Sequence, residues 1–265
     1  MDEAMVDAYL DRIGASRPPR PDIQALADLH EKHVLSVPFE NLAYFLGESV
    51  AAGEPSVRKV VRRRRGGNCL ELNSAFLLLL RALGFDGSLI LGRVARDGVF
   101  TQIVSHFGVH VRLPGGEHFF VDIGHFNTSL HPLRLDHSAP QPDAHGSYSV
   151  TRCADHEFEV DRDGVPHVRM ELTPVPIEET DVYEEGYRLA PDSLLTRGIL
   201  CYRPTRRGKV RLSGRQLVRE ENGEKIRTQL ETDDEMTEAL ATWFGISGCA
   251  VPAAQKPGDP VTPPG

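Results

Sequence analysis

The chain predicts an α+β fold built from three successive parts. Apolar residues recur at helical spacing up to about Phe85. From Gly87 onward, runs rich in β-branched and aromatic residues take over. A second set of short strand-like runs, closed by one helical pattern, follows near the end. These shifts predict a helical bundle over residues 1–86, a β-barrel over 87–185, a smaller α/β part over 186–250 and a disordered tail over 251–265.

Each element has its own signal. Met5, Val6, Tyr9, Leu10 and Ile13 form one helical stripe, which Gly14 ends. Asp22 is placed to cap a second helix whose apolar face is Ile23, Leu26, Leu29 and Val34. Ser36-Val37-Pro38-Phe39-Glu40-Asn41-Leu42 breaks that helix, and Val57 to Arg63 reads as a short basic one. The longest helix runs from Asn68 to Leu83, with Leu72, Phe76, Leu79, Leu80 and Leu83 on one stripe and Gly84 as the stop. Ser88 to Arg93, Val104 to Leu113 and Glu117 to Ile123 read as strands, the last two joined by a Pro114-Gly115-Gly116 turn. Tyr148 to Thr151 and Pro166 to Leu172 extend the same sheet or barrel. Asp181 to Leu195 is irregular, with a helix expected from Tyr183. A β meander then runs through 199–203, 209–213, 216–220 and 225–229, and a helix from Asp233 to Phe244 closes the pattern. Ala253 to Gly265 is rich in Pro and Gly without an apolar pattern, which predicts disorder.

Composition excludes several function classes. A length of 265 residues calls for one elaborate domain or several packed subdomains. Hydrophobic residues make up 40% and charged residues 26%, the balance of a soluble globular protein. The net charge of −8 argues against nucleic-acid partners and against an anionic membrane surface. The longest apolar run, Ala75 to Leu80, is far too short to span a bilayer. The acidic start has no apolar leader core, so a cytoplasmic protein is expected. Four scattered cysteines, Cys69, Cys153, Cys201 and Cys249, form neither a disulfide framework nor a metal spacing, and no metal is expected. The last three read as packing or surface residues, and His30 and His33 as a solvated helix face. The basic run Arg58 to Arg65 reads as a solvated helix face or as a landing site for a phosphorylated cofactor, with Arg64 as an ion-pair partner near the site.

Cys69 carries the chemistry. It lies in Arg64-Arg65-Gly66-Gly67-Asn68-Cys69-Leu70-Glu71-Leu72-Asn73, at the start of the longest helix. Unpaired amides and the helix dipole favour a thiolate there. The two glycines are expected to turn the chain sharply and leave the sulfur uncovered. A base must come from elsewhere. His106 and His110 share one strand face but stand roughly 13 Å apart along it, so one alone can reach the sulfur. A tight turn at 114–116 pairs Leu113 with Glu117 and sets Asp122 opposite Gly108, with both histidines as its diagonal neighbours. Gly108 would leave room for an imidazole, and the pattern does not choose between the two. A carboxylate between Val121 and Ile123 needs a partner if buried, and a histidine supplies one. The residues alone describe a Cys-His-Asp enzyme in the crevice between helices and barrel.

These segments resemble the arylamine N-acetyltransferases. Val37-Pro38-Phe39-Glu40-Asn41-Leu42 is similar to the family's N-terminal signature, and Arg64 to Asn73 to its nucleophile motif. Ala82-Leu83-Gly84-Phe85, Ser105-His106 and Val121-Asp122-Ile123-Gly124 follow in family order. Val210 to Arg215 and Phe244-Gly245-Ile246 resemble late landmarks, so the likeness spans Met5 to Ile246. It implies Cys69 as nucleophile, His106 rather than His110 as base, and Asp122 as orienting acid. It implies a helical bundle and β-barrel akin to the papain-like cysteine protease core, covered by an α/β lid. Acetyl-CoA as donor, a small-molecule amine as acceptor and a ping-pong cycle are implied with it. Gly124 is then a cofactor contact, and Phe39, Val94, Phe107 and Phe126 are candidate acceptor contacts. The family usually has Gly-Phe-Gly after the acid, whereas this chain has Gly124-His125-Phe126-Asn127. That departure motivates a second reading, an amide synthase of secondary metabolism fed by an acyl carrier protein. Hydrolysis by the same three residues, with water as acceptor, is a third.

Overall fold

The computed structural model describes residues 1–191 and 193–251. The expected disordered tail lies, apart from Val251, outside the described residues. The first part contains α1 (Glu3–Ile13), α2 (Ile23–Ser36), β1 (Phe39–Glu40), α3 (Leu42–Leu46), α4 (Glu54–Val61) and α5 (Cys69–Ala82). Asp2 and Asp22 cap α1 and α2 by accepting from the amides of Met5 and Ala25. Gly14 closes α1 with a φ of 67°. Every residue of α5 from Cys69 to Leu77 is buried, so it is the central helix rather than a one-faced surface helix. It is packed between α1 and α4 on one side and the barrel on the other.

The barrel strands are β2 (Asp86–Arg96), β3 (Val99–Phe100), β4 (His106–Arg112), β5 (His118–Val121), β6 (Leu133–Arg134), β7 (Gln141–Asp143), β8 (Gly146–Ala154), β9 (Glu157–Arg162) and β10 (Val165–Glu171). They form one antiparallel sheet in the order β6-β5-β4-β2-β10-β9-β8-β7, with β3 added to β2, which curls into a nearly closed barrel. α6 (Asp181–Arg188) then leads to β11 (Leu200–Thr205), β12 (Gly208–Ser213), β13 (Gln216–Glu221) and β14 (Glu224–Gln229), and to α7 (Asp233–Phe244). β1 joins this second sheet beside β11, pairing Phe39 with Tyr202 and Glu40 with Cys201. The α+β class is as the sequence predicts.

Two expectations about the helical part's surface fail, for packing reasons. His30 and His33 are fully buried rather than solvated. His33 hydrogen-bonds the Tyr9 hydroxyl at 2.9 Å, His30 Nδ1 donates to the Leu130 carbonyl at 2.9 Å, and both rings meet Phe76. Their helix is wrapped on more than one side, so these two rings face protein while Gln24 and Asp28 stay exposed. The basic run is not a uniform face either. Arg58, Arg62, Arg63 and Arg64 are exposed, but Lys59 and Arg65 are buried and paired. Arg65, not Arg64, is the ion-pair partner beside the site.

Candidate active site

Cys69 is the first residue of α5. Asn68 accepts from the Glu71 amide at 3.0 Å, and Glu71 reaches back to the Asn68 amide at 3.1 Å. This capping box uses two of the helix-start amides and leaves those of Cys69 and Leu70 for negative charge. Gly66 and Gly67 have no left-handed backbone, so they serve close approach rather than a sharp turn. A Cβ on Gly66 would lie 1.9 Å from the Pro38 carbonyl, and one on Gly67 would lie 2.7 Å from Glu71 Cβ. A buried ionic network holds this corner. Lys59 Nζ donates to both Glu71 oxygens at 2.8 Å, and Arg65 Nε donates to Glu40 at 2.9 Å. The other Glu40 oxygen accepts from the Leu42 amide at 2.8 Å.

The barrel brings His106 and Asp122 to this helix start. Leu113 and Glu117 are bonded, and Val109 pairs with Val121, so Asp122 falls opposite Gly108 as the sequence predicts. The space over Gly108 is filled by Phe120 and Met170, not by an imidazole. His106 Nε2 donates to Asp122 Oδ2 at 2.8 Å, and both residues are buried. The other Asp122 oxygen accepts from Asn73 at 3.2 Å and from the Gly124 amide at 2.9 Å. Asn73 stands one helical turn after Cys69, so one helix positions both the sulfur and the carboxylate. Burial alone would lower the His106 pKa. The charge and hydrogen bond of Asp122, with the adjacent Cys69 sulfur, overcome this and raise it above the ordinary imidazole value. For Asp122, burial is likewise outweighed, chiefly by His106, and its pKa is held below the usual carboxylate range. His110 is elsewhere: it hydrogen-bonds His118 at 2.8 Å, and burial together with that neighbour lowers its pKa to about 4.

A cavity of about 250 Å³ opens beside Cys69 and His106. Phe39, Val94, Gly124 and Phe126 line it, with Phe126 packed 4.6 Å from Phe39 between ring centres. Phe107, a candidate acceptor contact from the sequence, is in the core and not in the cavity wall. Strand alternation turns it away from the face that carries His106. Gly124 presses on the backbone of Cys69: a Cβ there would lie 2.7 Å from Cys69 Cα. Several wall residues had no site role in the sequence reading, three of them on separate segments. These three are His167 on β10, Tyr187 on α6 and Leu195. Asn41 anchors the last segment, donating to the carbonyls of Leu195 and Gly198 and accepting from Leu200.

An N-acetyltransferase family model matches residues 22–249. An arylamine N-acetyltransferase of Mycolicibacterium smegmatis is 30% identical over 248 residues, covering 90% of each chain. The chain belongs to the arylamine N-acetyltransferase family. The solved M. smegmatis arylamine N-acetyltransferase superposes with a TM-score of 0.83 at 30% identity over 93% of each chain. A structure from Mycobacterium marinum, solved in complex with CoA, matches at 26% identity and a TM-score of 0.81, covering 91% of this chain and 92% of its own. The proansamycin X synthase of Amycolatopsis mediterranei is also 30% identical over 254 residues, covering 89% of this chain and 95% of its own.

In this arylamine N-acetyltransferase family member, the loop after Asp122 brings a second histidine beside His106. His125 stands edge-on to His106 with ring centres 5.0 Å apart, and edge-on to His167 at 4.3 Å. Asn127 is held by the Tyr202 hydroxyl at its amide and by the Tyr148 hydroxyl at its carbonyl. It adopts the left-handed backbone, with a φ of 57°, which asparagine tolerates better than most residues.

Proposed function

We propose that the protein transfers an acetyl group from acetyl-CoA to the nitrogen of an arylamine, arylhydroxylamine or hydrazine by a ping-pong cycle through Cys69. The observation that carries this reading is the buried His106–Asp122 pair at the α5 start, within a family member. Asp122 fixes His106 through Nε2, which leaves Nδ1 for the thiol. The raised His106 pKa favours imidazolium, and imidazolium favours thiolate. In the first half-reaction the thiolate attacks the acetyl carbonyl carbon. The bond to Cys69 Sγ forms, the bond to the CoA sulfur breaks, and His106 gives its proton to the departing thiolate. In the second, the amine nitrogen attacks the thioester carbon. The bond to Sγ breaks, the amine's proton passes to His106, and the charged pair returns. The free Cys69 amide is suited to hold the carbonyl oxygen as it gains charge.

A second cavity, of about 410 Å³, shares Phe126, Asn127, Leu194 and Leu200 with the first. Lys209, Arg211 and Lys225 line it together with Glu220. Burial lowers the Lys209 pKa, and although Glu220 opposes this, Arg162, Lys225 and Arg211 lower it further. Cations crowded in this way fit the phosphates of the donor, which would relieve the repulsion. Acetyl transfer to a panel of aromatic amines and hydrazines, with initial rates at varied donor and acceptor, tests the proposal. Parallel double-reciprocal lines are expected. Intersecting lines would refute the ping-pong cycle.

The likeness to proansamycin X synthase favours one alternative, amide formation from an acyl carrier-protein thioester on the same cysteine. Acyl transfer from loaded carrier protein, with none from acetyl-CoA, would establish it in place of the first reading.

A further inference from the structure

Among the described residues, no side chain or backbone group hydrogen-bonds the His167 imidazole. β9 and β10 pair Asp161 with Pro166 and Val160 with Val168, so His167 is the extra residue of a β-bulge. Such a bulge re-aims a side chain, and bulges gather beside active sites. This one puts His167 into the wall of the cavity that holds Cys69 and His106. The ring packs edge-on against His125 and lies 6.2 Å from Tyr148 between centres. Among the described residues it makes no hydrogen bond, although burial pushes its pKa down to about 4 and keeps it neutral. A neutral imidazole has one N–H donor and one bare nitrogen acceptor. The ring is half-buried in the cavity wall, so both are open to a ligand that can donate to one and accept from the other.

His125 is half satisfied. Its Nδ1 donates to the Phe126 carbonyl at 2.6 Å, which fixes the tautomer and leaves Nε2 as an acceptor only. Burial, His167 and His106 hold this ring neutral as well. The cavity therefore presents a bare acceptor on His125 and a donor with an acceptor on His167, within walls of Phe39, Val94 and Phe126.

We propose that His125 and His167 form a hydroxyl-recognition site, and that the preferred acceptors are aromatic amines carrying a phenolic hydroxyl. A hydroxyl donates and accepts at one atom, which matches the two rings. A carboxylate accepts only, so it would face the bare Nε2 of His125 and stand close to the Asp122 charge. An unsubstituted ring would leave His167 unmet. The proposal rests on the acyl-transfer reading for its use, but its binding test does not.

The test is binding to the full chain with no acyl donor present, followed by imidazole ¹⁵N resonances. The probes are 3-aminophenol, 3-methylaniline, which puts a methyl group where the hydroxyl was, and 3-aminobenzoate. 3-Aminophenol should bind roughly tenfold tighter than 3-methylaniline, the ratio one well-made hydrogen bond supplies, and should shift the His167 ring nitrogens. His167→Leu should bring the two affinities together, and His167→Gln, which keeps a donor and an acceptor, should retain part of the difference. His125→Phe should narrow it as well. Equal affinities in the wild type, tighter binding of the benzoate, binding of neither amine, or a preference that survives both His167→Leu and His125→Phe would overturn the proposal. A hydroxyl preference with no acetyl transfer to any amine would instead refute the acyltransferase reading and leave this site standing.

Discussion

At the scale of single residues, His106 and His110 are unequal despite their shared strand face. His106 is held by Asp122, whereas His110 is held by His118. His106→Ala should lower kcat/KM for acetyl transfer by about a thousandfold or more, within the range general acid–base groups contribute. His110→Ala should stay within a few-fold of wild type, and the reverse order in steady-state kinetics would mean the base is misassigned. Much of this was legible in the sequence. The helix-start cysteine and the hairpin register followed from local pattern alone. The choice between the two histidines did not, because it depends on which ring the adjoining strand and helix leave room for. His167 was not legible either, because one extra residue in a strand reverses which face a side chain takes. Its only signal was a polar residue directly after Pro166, inside a run that otherwise alternates.

At the scale of elements, α5 and the loop after Asp122 are in backbone contact. Gly124→Ala would put a methyl group 2.7 Å from Cys69 Cα, with Asn73 at 2.8 Å on its other side. The backbone must shift, at a cost of about 1–3 kcal/mol. Denaturant unfolding should show that loss, together with slower acetyl transfer as the sulfur is displaced. The corner beneath Cys69 is more costly to break. Arg65→Ala leaves Glu40 without its close cation partner, since Lys59 is 3.8 Å away. Breaking a buried pair in this way costs about 3–5 kcal/mol, and a loss below 1 kcal/mol in the same assay would show the network to be incidental. The sequence suggested the ion pair but placed it on Arg64, a residue that proves exposed with a left-handed backbone. Strand β9 was missed although Phe158 and Val160 alternate with charged neighbours, because the charges outnumber them. β1 was missed for another reason: a two-residue strand whose partner lies far along the chain has no local period.

At the scale of the whole molecule, buried imidazoles set the response to acid. Burial lowers the pKa of His30, His33, His110, His125 and His167, and desolvation is the largest cause in each case. A histidine with a lowered folded pKa gives stability that is present above its unfolded value, about 6.5. That stability is lost as pH falls toward the folded value. His106 has the opposite sign: its contribution is complete below about 6.5 and fades as pH rises through its raised folded value. Below 6.5 the His106 contribution is constant, and the five imidazoles outnumber the two carboxyls, Glu71 and Glu184, that burial raises and that oppose them, so Tm should fall from pH 6.5 to 4.5, above the range where the paired Asp122 carboxylate is lost. A flat Tm across that interval would mean the rings are already charged in the fold. Among the described residues, no helix is long and apolar enough to cross a membrane. The helical bundle and barrel supply the three proposed site residues, and the second sheet, joined to the bundle by β1, supplies the far side of the cavities.

The central claim is that Cys69 carries the acyl group between donor and amine. Intact mass after mixing the protein with acetyl-CoA and no amine tests it most directly. The wild type should gain one acetyl group and the Cys69→Ala variant none, with the adduct disappearing when an aromatic amine is added. An unmodified wild type with no CoA thiol released would contradict the claim.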